Sequence, residues 1–442
     1  MSADQPSRRS CGRPSPEPAG SGPKRRQLLR SLAGGAGVAS IGLSGCVQDA
    51  DEADDPSGDD SSDDDESAAE ALDTVSVGVL VPESGPSGPL GQAQRRGAEL
   101  GVRFVNESDE FEFEIDPIYE DTQTDPPTGR SRAERVVEEE GVDYVLGGLE
   151  SSVSLAISDY VSGRDAIYMS GAAAIEITGE ECNENTFRYE TNAAQQMAGL
   201  TGFAARELGT NWWLHSTDEA YGVSAFEQIE RRIETQGLDV DIVGETMPDF
   251  GTEDYGSQIS QISNSEADVL VVPETGGDLI NFINQASNAG LTDEVAVIGT
   301  ALFAQVSRQA LGQTAVGTYS STLYSHRLET GDNEQFVEAY ADEFEGRPGN
   351  FARVGYELVR TTARGIQAAG TDDIEQFKET LPGLEMETVL GETAYRACDH
   401  QAVNPVWTGE IVADGEGTEV ELLEEVSGED AIRPCEETGC SL

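Results

Sequence analysis

A chain that runs a short apolar segment into two glycines, and from there into serines and a helical pattern, has few folds open to it. Residues 142–152 read VDYVLGGLESS. Val142, Tyr144, Val145 and Leu146 form a run the length of a buried strand in a parallel sheet. Gly147-Gly148 then lets the backbone turn sharply without a Cβ penalty. A helix follows, with Ser151 or Ser152 as a natural N-cap and Val153, Ile157 and Val161 on its inward face. Such a unit aims unpaired N–H groups and hydroxyls at a point where a carboxylate or other small anion can sit. It serves equally as an ordinary βα connection that binds nothing.

The pattern repeats on both sides. Thr74–Val81 is a β-branched strand followed by a Pro/Ser/Gly loop and a helix over 90–106, with Ala93, Gly97, Leu100 and Phe104 inward. A strand at 112–119, a helix at 128–140, the 142–152 unit and a strand at 166–170 ending in Gly171-Ala172-Ala173-Ala174 complete one alternation. A second begins near Phe187, with strands at 212–216, 241–247, 268–273 and 295–299 separated by helices. A strand at 316–320 is expected to return to the first lobe. The fold class is therefore α/β: two doubly wound, Rossmann-like lobes with a cleft where strand ends face each other.

Charge speaks to habitat. The chain carries 27 Lys+Arg against 84 Asp+Glu, a net charge of -57, and its only lysines are Lys24 and Lys378. That excludes nucleic acid as a natural partner and would self-repel in dilute buffer. It suits concentrated salt, where the Debye length falls to roughly 3 Å at 1 M, and reads as halophilic adaptation. Residues 1–45 hold Lys24-Arg25-Arg26 and a short, weakly apolar run at 32–43, the look of a twin-arginine signal peptide. Leu43-Ser44-Gly45-Cys46 resembles a lipobox, which makes Cys46 the lipidated residue and anchors the protein to the outer face of the cell membrane. Residues 46–73 read as a disordered tether, with 13 acidic side chains between Asp49 and Asp73 but without the ligand spacing of a calcium loop. The remaining boundaries are 74–190 and 316–388 for the first lobe, 191–315 for the second, 389–424 for a crossover back to it, and 425–442 for a tail.

Taken in order, Ser84-Gly85-Pro86 with Gly91 and Gly97, Glu120-Asp121-Thr122 with Pro126, Gly147 through Ser152, Phe187-Arg188, Tyr221-Gly222 and Asp399-His400-Gln401 resemble the type I periplasmic solute-binding proteins. The likeness is to the branched-chain amino acid, amide and urea group that serves ATP-driven importers. It implies a Venus-flytrap that closes on a small polar solute and presents it, as a monomer without cofactor, to permease subunits with cytoplasmic ATPases. It implies that Ser152, beside Ser151, receives a carboxylate or amide oxygen, and that Ala172 and Ala173 touch the ligand through their backbone. Tyr221 would face the ligand from the second lobe, with Glu274 and Thr275 in the next loop and Phe351 lining the side-chain pocket. Three positions depart from the family pattern: Ala174 replaces a threonine, Leu90 a tyrosine, and Ala301 the glutamate that pairs with a ligand ammonium. Glu150, Asp218 or Glu274 is left to supply that charge; otherwise the ligand has no ammonium. A sensor of the same fold is the alternative function.

No nucleophile elbow, phosphate loop or dinucleotide motif is present, and the chain reads as no enzyme. His215, His326 and His400 stand in no metal-ligand spacing and read as structural. Cys182, Cys398, Cys435 and Cys440 make an even set for an oxidising compartment, with three connectivities open. Cys182–Cys398 with Cys435–Cys440 is favoured, on the closeness of the last two. A zinc site from Cys398, His400 and the tail competes with it.

Overall fold

The computed structural model describes residues 72–415 and 417–442. The leader, Cys46 and all but the last two residues of the tether lie outside the described residues.

The first lobe runs β1 (Thr74–Val81), α1 (Gly88–Glu107), β2 (Glu114–Asp121), α2 (Pro126–Glu134), β3 (Tyr144–Gly147), α3 (Ser151–Val161), β4 (Ile167–Ser170) and β5 (Thr186–Arg188). Its sheet has the order β2-β1-β3-β4-β5 and is parallel throughout. The chain then crosses to α4 (Ala193–Glu207), β6 (Asn211–His215), α5 (Ala220–Gln236), β7 (Asp241–Thr246), α6 (Gly256–Ser263), β8 (Val269–Val272), α7 (Gly276–Asn288), β9 (Ala296–Gly299), α8 (Gln305–Leu311) and β10 (Tyr319–Thr322). It returns as α9 (Asn333–Glu343), α10 (Asn350–Ala369), α11 (Ile374–Thr380) and the hairpin β11 (Met386–Thr388) and β12 (Gly391–Thr393). A last crossing leads to β13 (Val406–Asp414), β14 (Gly417–Val426) and α12 (Gly428–Ala431).

The second sheet has the order β14-β13-β10-β9-β8-β6-β7. One expectation changes here. The strand placed at 316–320 does not return to the first lobe: β10 pairs in parallel with β9 and antiparallel with β13. The second lobe therefore extends through Thr322. A strand beside its sequence neighbour is the cheaper connection, and periodicity alone cannot report which sheet receives it.

Each lobe buries its own apolar centre. In the first, Val77, Val79, Leu146, Met169 and Phe187 pack on Leu358, Val359 and Ile366 of α10. In the second, Leu270, Val272, Phe282 and Leu302 lie on one face of the sheet and Leu200, Trp212, Leu214 and Ile229 on the other. The helices α1 and α10 meet backbone to backbone. A Cβ on Gly97 would lie 1.8 Å from the Ala352 carbonyl oxygen, and one on Gly355 would lie 1.9 Å from that of Gln94. This contact sets where the first turn of α10, with Asn350 and Phe351, meets the cleft.

The disulfides are Cys182–Cys440 and Cys398–Cys435. The four cysteines are those expected, but the favoured pairing is wrong. A short helical turn at Cys435–Glu437 and the bend at Thr438 set Cys435 and Cys440 side by side against different partners. The Arg396 guanidinium, donating to the Arg433 carbonyl at 2.6 Å, holds the tail over Cys398. With Cys398 in a disulfide and His400 stacked on Phe187 at 3.9 Å, the zinc alternative falls away.

Gly97→Ala is expected to lower the thermal midpoint in molar salt, since overpacking of this kind costs about 1–3 kcal/mol. An unchanged midpoint would mean that α1 and α10 are not in backbone contact.

Candidate functional site

A cavity of about 380 Å³ lies between the two lobes, walled by loops that leave the strand ends of both sheets. From the first lobe come Leu149, Glu150 and Ser151 after β3, Gly171, Ala172 and Ala173 after β4, and Phe351 at the start of α10. From the second come Thr217, Glu219 and Tyr221 after β6, Glu274 and Thr275 after β8, and Thr300 and Ala301 after β9.

The glycine turn works as its sequence suggests. Gly147 and Gly148 take φ of 114° and 74°, and Tyr168 Oη donates to the Gly147 carbonyl at 3.0 Å. Gln94 Nε2 donates to the Gly148 carbonyl at 3.2 Å. The helix start differs from expectation. The N-cap is Glu150, with extended backbone and no capping bond from its side chain, and α3 begins at Ser151. Ser151, not Ser152, reaches the cavity wall. Its Oγ accepts the Ala174 N–H at 3.0 Å, which leaves the hydroxyl proton to donate elsewhere. The slip is a single helical position, and one position rotates a side chain by about 100°.

Ala172, Ala173, Tyr221, Glu274, Thr275 and Phe351 are brought together in the wall of this cavity. Tyr221 is less free than its place implies. Its Oη donates to Gln196 Oε1 at 2.6 Å and shares a 2.9 Å hydrogen bond with Thr300 Oγ1, so it offers a ring face to the cavity. Asp218 is exposed and away from the wall.

Five carboxylates line the cleft, and they differ. Glu190 is satisfied: its Oε1 accepts from Thr191 and from Arg353 at 2.9 Å, and its Oε2 from Asn350 at 2.8 Å. Glu150, 8% exposed, has no hydrogen-bond partner on either oxygen, although the Ser87 hydroxyl lies near. Glu274, 2% exposed, has none either. Glu219 accepts the Tyr221 N–H through Oε1, while its buried Oε2 is unpartnered. Burial pushes Glu150 up to about 7. Burial, helped by the charges of Glu150 and Glu176, pushes Glu219 to about 7. Glu274 is driven well above the usual carboxylate range by burial and by Asp278 and Glu219.

Other segments bring cations. Arg308, Arg327, Arg347 and His326 line the same cavity. Arg327 pairs with Glu419 at 2.7 Å, and Arg308 donates to the carbonyls of Phe303 and Thr418. Sequence pattern singles out neither these cations nor Glu219 as site residues. Acidic side chains are too common in this chain to mark a site, but cations are scarce, and that scarcity is the signal available.

The described residues hold no cluster of His, Cys, Asp and Glu suited to a metal ion. A family model for periplasmic binding proteins matches residues 74–416. The chain belongs to the periplasmic binding protein family. Among curated relatives, the Leu/Ile/Val-binding protein homolog 4 of Brucella abortus is 22% identical over 409 residues, covering 85% of this chain and 94% of that one. An amino acid ABC transporter substrate-binding protein from Pseudomonas fluorescens superposes with a TM-score of 0.74 at 21% identity, over 84% of this chain and 100% of the other. A solute-binding protein of an ABC transporter from R. palustris, solved with benzoate, gives 0.73 at 20% identity, over 84% and 100%. As a periplasmic binding protein this chain is of a substrate-binding, extracytoplasmic class, and its architecture is the type I fold.

The raised carboxyl groups set a pH dependence. Glu150 and Glu219 titrate ordinarily at 4.5 and in the folded chain at about 7. The unfolded chain loses these protons first, so their contribution to stability is full below about 4.5 and is lost as pH rises through 7. The midpoint of the ligand-free protein in molar salt should fall between about pH 5 and pH 8, and the Glu150→Gln/Glu219→Gln variant should flatten the fall. A rise over that interval would contradict the assignment.

Proposed function

We propose that this protein is the lipid-anchored substrate-binding component of an ABC importer, closing two lobes on one small polar solute and delivering it to the permease. The observation that carries the reading is the cavity itself: about 380 Å³, reached by both lobes, with unpartnered polar atoms in its wall. That volume suits a solute the size of an amino acid, amide, urea or small aromatic acid. Closure has its own contacts. Ser224 Oγ on α5 donates to Glu176 Oε2 at 2.6 Å and accepts the Ile175 N–H at 3.1 Å, which joins the second lobe to the loop after β4. A ligand that touches both lobes favours this arrangement, and the permease reads the difference. Ala173, Ser151 and the ring of Tyr221 supply the first contacts in this reading, and the cation-poor surface adapts the protein to concentrated salt. Cys46 carries the anchor.

Thermal unfolding in molar salt against amino acids, amides, urea and small carboxylates tests the reading. A solute at 100 times its Kd stabilises by about 2.7 kcal/mol. With a bound solute, Ser151→Ala should weaken affinity several-fold and Ser152→Ala should leave it unchanged; the reverse would restore Ser152 to the wall. No shift with any of these solutes would remove amino acids, amides, urea and small carboxylates as the solute class. For the anchor, Cys46→Ser should move the protein from the membrane fraction into the medium, and retention at the membrane would refute lipidation at that residue.

A further inference from the structure

The unpartnered acceptors in the cleft are concentrated. Glu150 and Glu274 each contribute both carboxylate oxygens and Glu219 contributes Oε2, five buried oxygens in all that form no well-aligned hydrogen bond, the Ser87 hydroxyl beside Glu150 being the one donor near them. Buried carboxylates left so are costly and are ordinarily paired or bonded. Here the groups around them are engaged elsewhere. Asp278 Oδ1 accepts from the Tyr255 hydroxyl and the Gly251 N–H, at 2.9 and 3.0 Å. Glu176 is held by Ser224, and Glu190 by Arg353 and Asn350. His215 lies with Nε2 3.9 Å from Glu274 Oε2, but burial against Phe282 depresses it to about 3 and keeps it neutral. Among the described residues no arginine or lysine forms an ion pair with Glu150, Glu219 or Glu274.

The placement of the three is also particular. Glu150 belongs to the first lobe, Glu219 and Glu274 to the second, and Glu219 feels the charge of Glu150 while Glu274 feels that of Glu219. The acids therefore share one cavity wall, one from the first lobe and two from the second. Glu150 also directly precedes Ser151, the neighbour of the Ser152 at which the family resemblance would seat a ligand carboxylate. A carboxylate there would lie beside an acid already short of compensation.

We propose that Glu150, Glu219 and Glu274 form a subsite for a guanidinium group, and that the solute is a small guanidino compound whose cation bridges the two lobes. This rests on the cleft being the solute site. A monosubstituted guanidinium offers five N–H donors in a plane, enough to reach carboxylates on both lobes at once, whereas an ammonium offers three. It is also weakly hydrated and stacks on aromatic faces, and Tyr221, Phe250, Phe303 and Phe351 stand in the same wall. Any anionic end of the solute meets Arg308, Arg327 and Arg347, which lie on segments separate from the acids. The polarity is thus the opposite of that expected for an α-amino acid bound through its carboxylate at the serine turn. Cation binding holds Glu150 and Glu219 ionised, so affinity strengthens as pH rises through about 7.

The test is titration of the purified protein in molar KCl with agmatine, 4-guanidinobutyrate, choline, leucine, acetamide and benzoate, followed by calorimetry and thermal midpoint. Agmatine or 4-guanidinobutyrate should bind, and more tightly at pH 8 than at about pH 6. Glu150→Gln and Glu274→Gln should each weaken that binding about 10-fold or more, as expected for a charge-assisted hydrogen bond, without lowering the ligand-free midpoint. Glu219→Gln, at a partly exposed residue, keeps the test open should a buried substitution fail to fold. Choline binding as tightly as the guanidino compounds would overturn the proposal, as would leucine binding that all three variants leave unaltered. If acetamide or benzoate binds and the guanidino compounds do not, the guanidinium subsite is wrong and the solute-binding reading survives. If nothing binds, both fall.

Discussion

Arg188 holds together the place where the two lobes become one molecule. It ends β5, is fully buried, and donates to the Ala174 carbonyl, the Thr178 hydroxyl and, at 2.5 Å, Gln401 Oε1. Its backbone accepts the Ala402 N–H at 2.9 Å and donates to the His400 carbonyl at 3.0 Å, so residues 400–402 lie along the first sheet's edge like a further strand. One side chain thus fixes the loop that supplies Ala172 and Ala173 to the cleft and two of the three segments that cross between lobes. Among the described residues no carboxylate pairs with the guanidinium; burial lowers it to about 9, partly offset by the charges of Asp399, Glu176 and Glu190. A hinge protein needs a rigid base for its moving parts, and a buried, multiply bonded arginine at the crossing provides one.

From that base the chemistry of closure follows. In the proposed closure, bringing Glu150 toward Glu219 and Glu274 removes water from like groups, which keep their protons below about pH 7 and, where they ionise above it, oppose the closed arrangement when the cleft is empty. The Ser224–Glu176 contact acts in the other direction, but it is one neutral-to-charged hydrogen bond worth about 1.5–3 kcal/mol at most. A solute that neutralises the facing acids turns their mutual repulsion into attraction through a shared cation. In such a design specificity and conformational switching are the same event, because a neutral ligand of equal size leaves the repulsion in place.

The fold was largely legible because a doubly wound lobe writes itself locally: a short apolar run, a glycine turn and an inward stripe such as Val153, Ile157 and Val161, all of which are buried. What failed were choices that local pattern does not encode. The partner sheet of β10, the disulfide partners of Cys435 and Cys440, and the one-position difference between Ser151 and Ser152 are all set by tertiary contacts or by where a helix begins. The wall of the cavity was half legible. Ala172, Ala173, Tyr221, Glu274, Thr275 and Phe351, named through resemblance, line it, whereas Glu219 stayed hidden among 84 acidic residues. Composition masks the acids and exposes the bases, since Arg308, Arg327 and Arg347 draw on a total of only 27 Lys and Arg.

Acidic residues therefore do two unrelated things in this molecule. On the surface, in the concentrated salt for which we propose it is adapted, they are screened over roughly 3 Å at 1 M and act as a hydrated coat. In the cleft the same side chain is buried, and once ionised it is poorly screened and demands a counter-charge. Molar sodium or potassium outside would answer that demand unless the site resisted it. Five acceptors divided between two lobes, among aromatic rings and without a coordinating cluster among the described residues, suit a planar, weakly hydrated cation with directed N–H bonds better than a small ion that must shed its water. Aromatic walls around the acids are thus what would let an organic cation compete with the far more abundant salt.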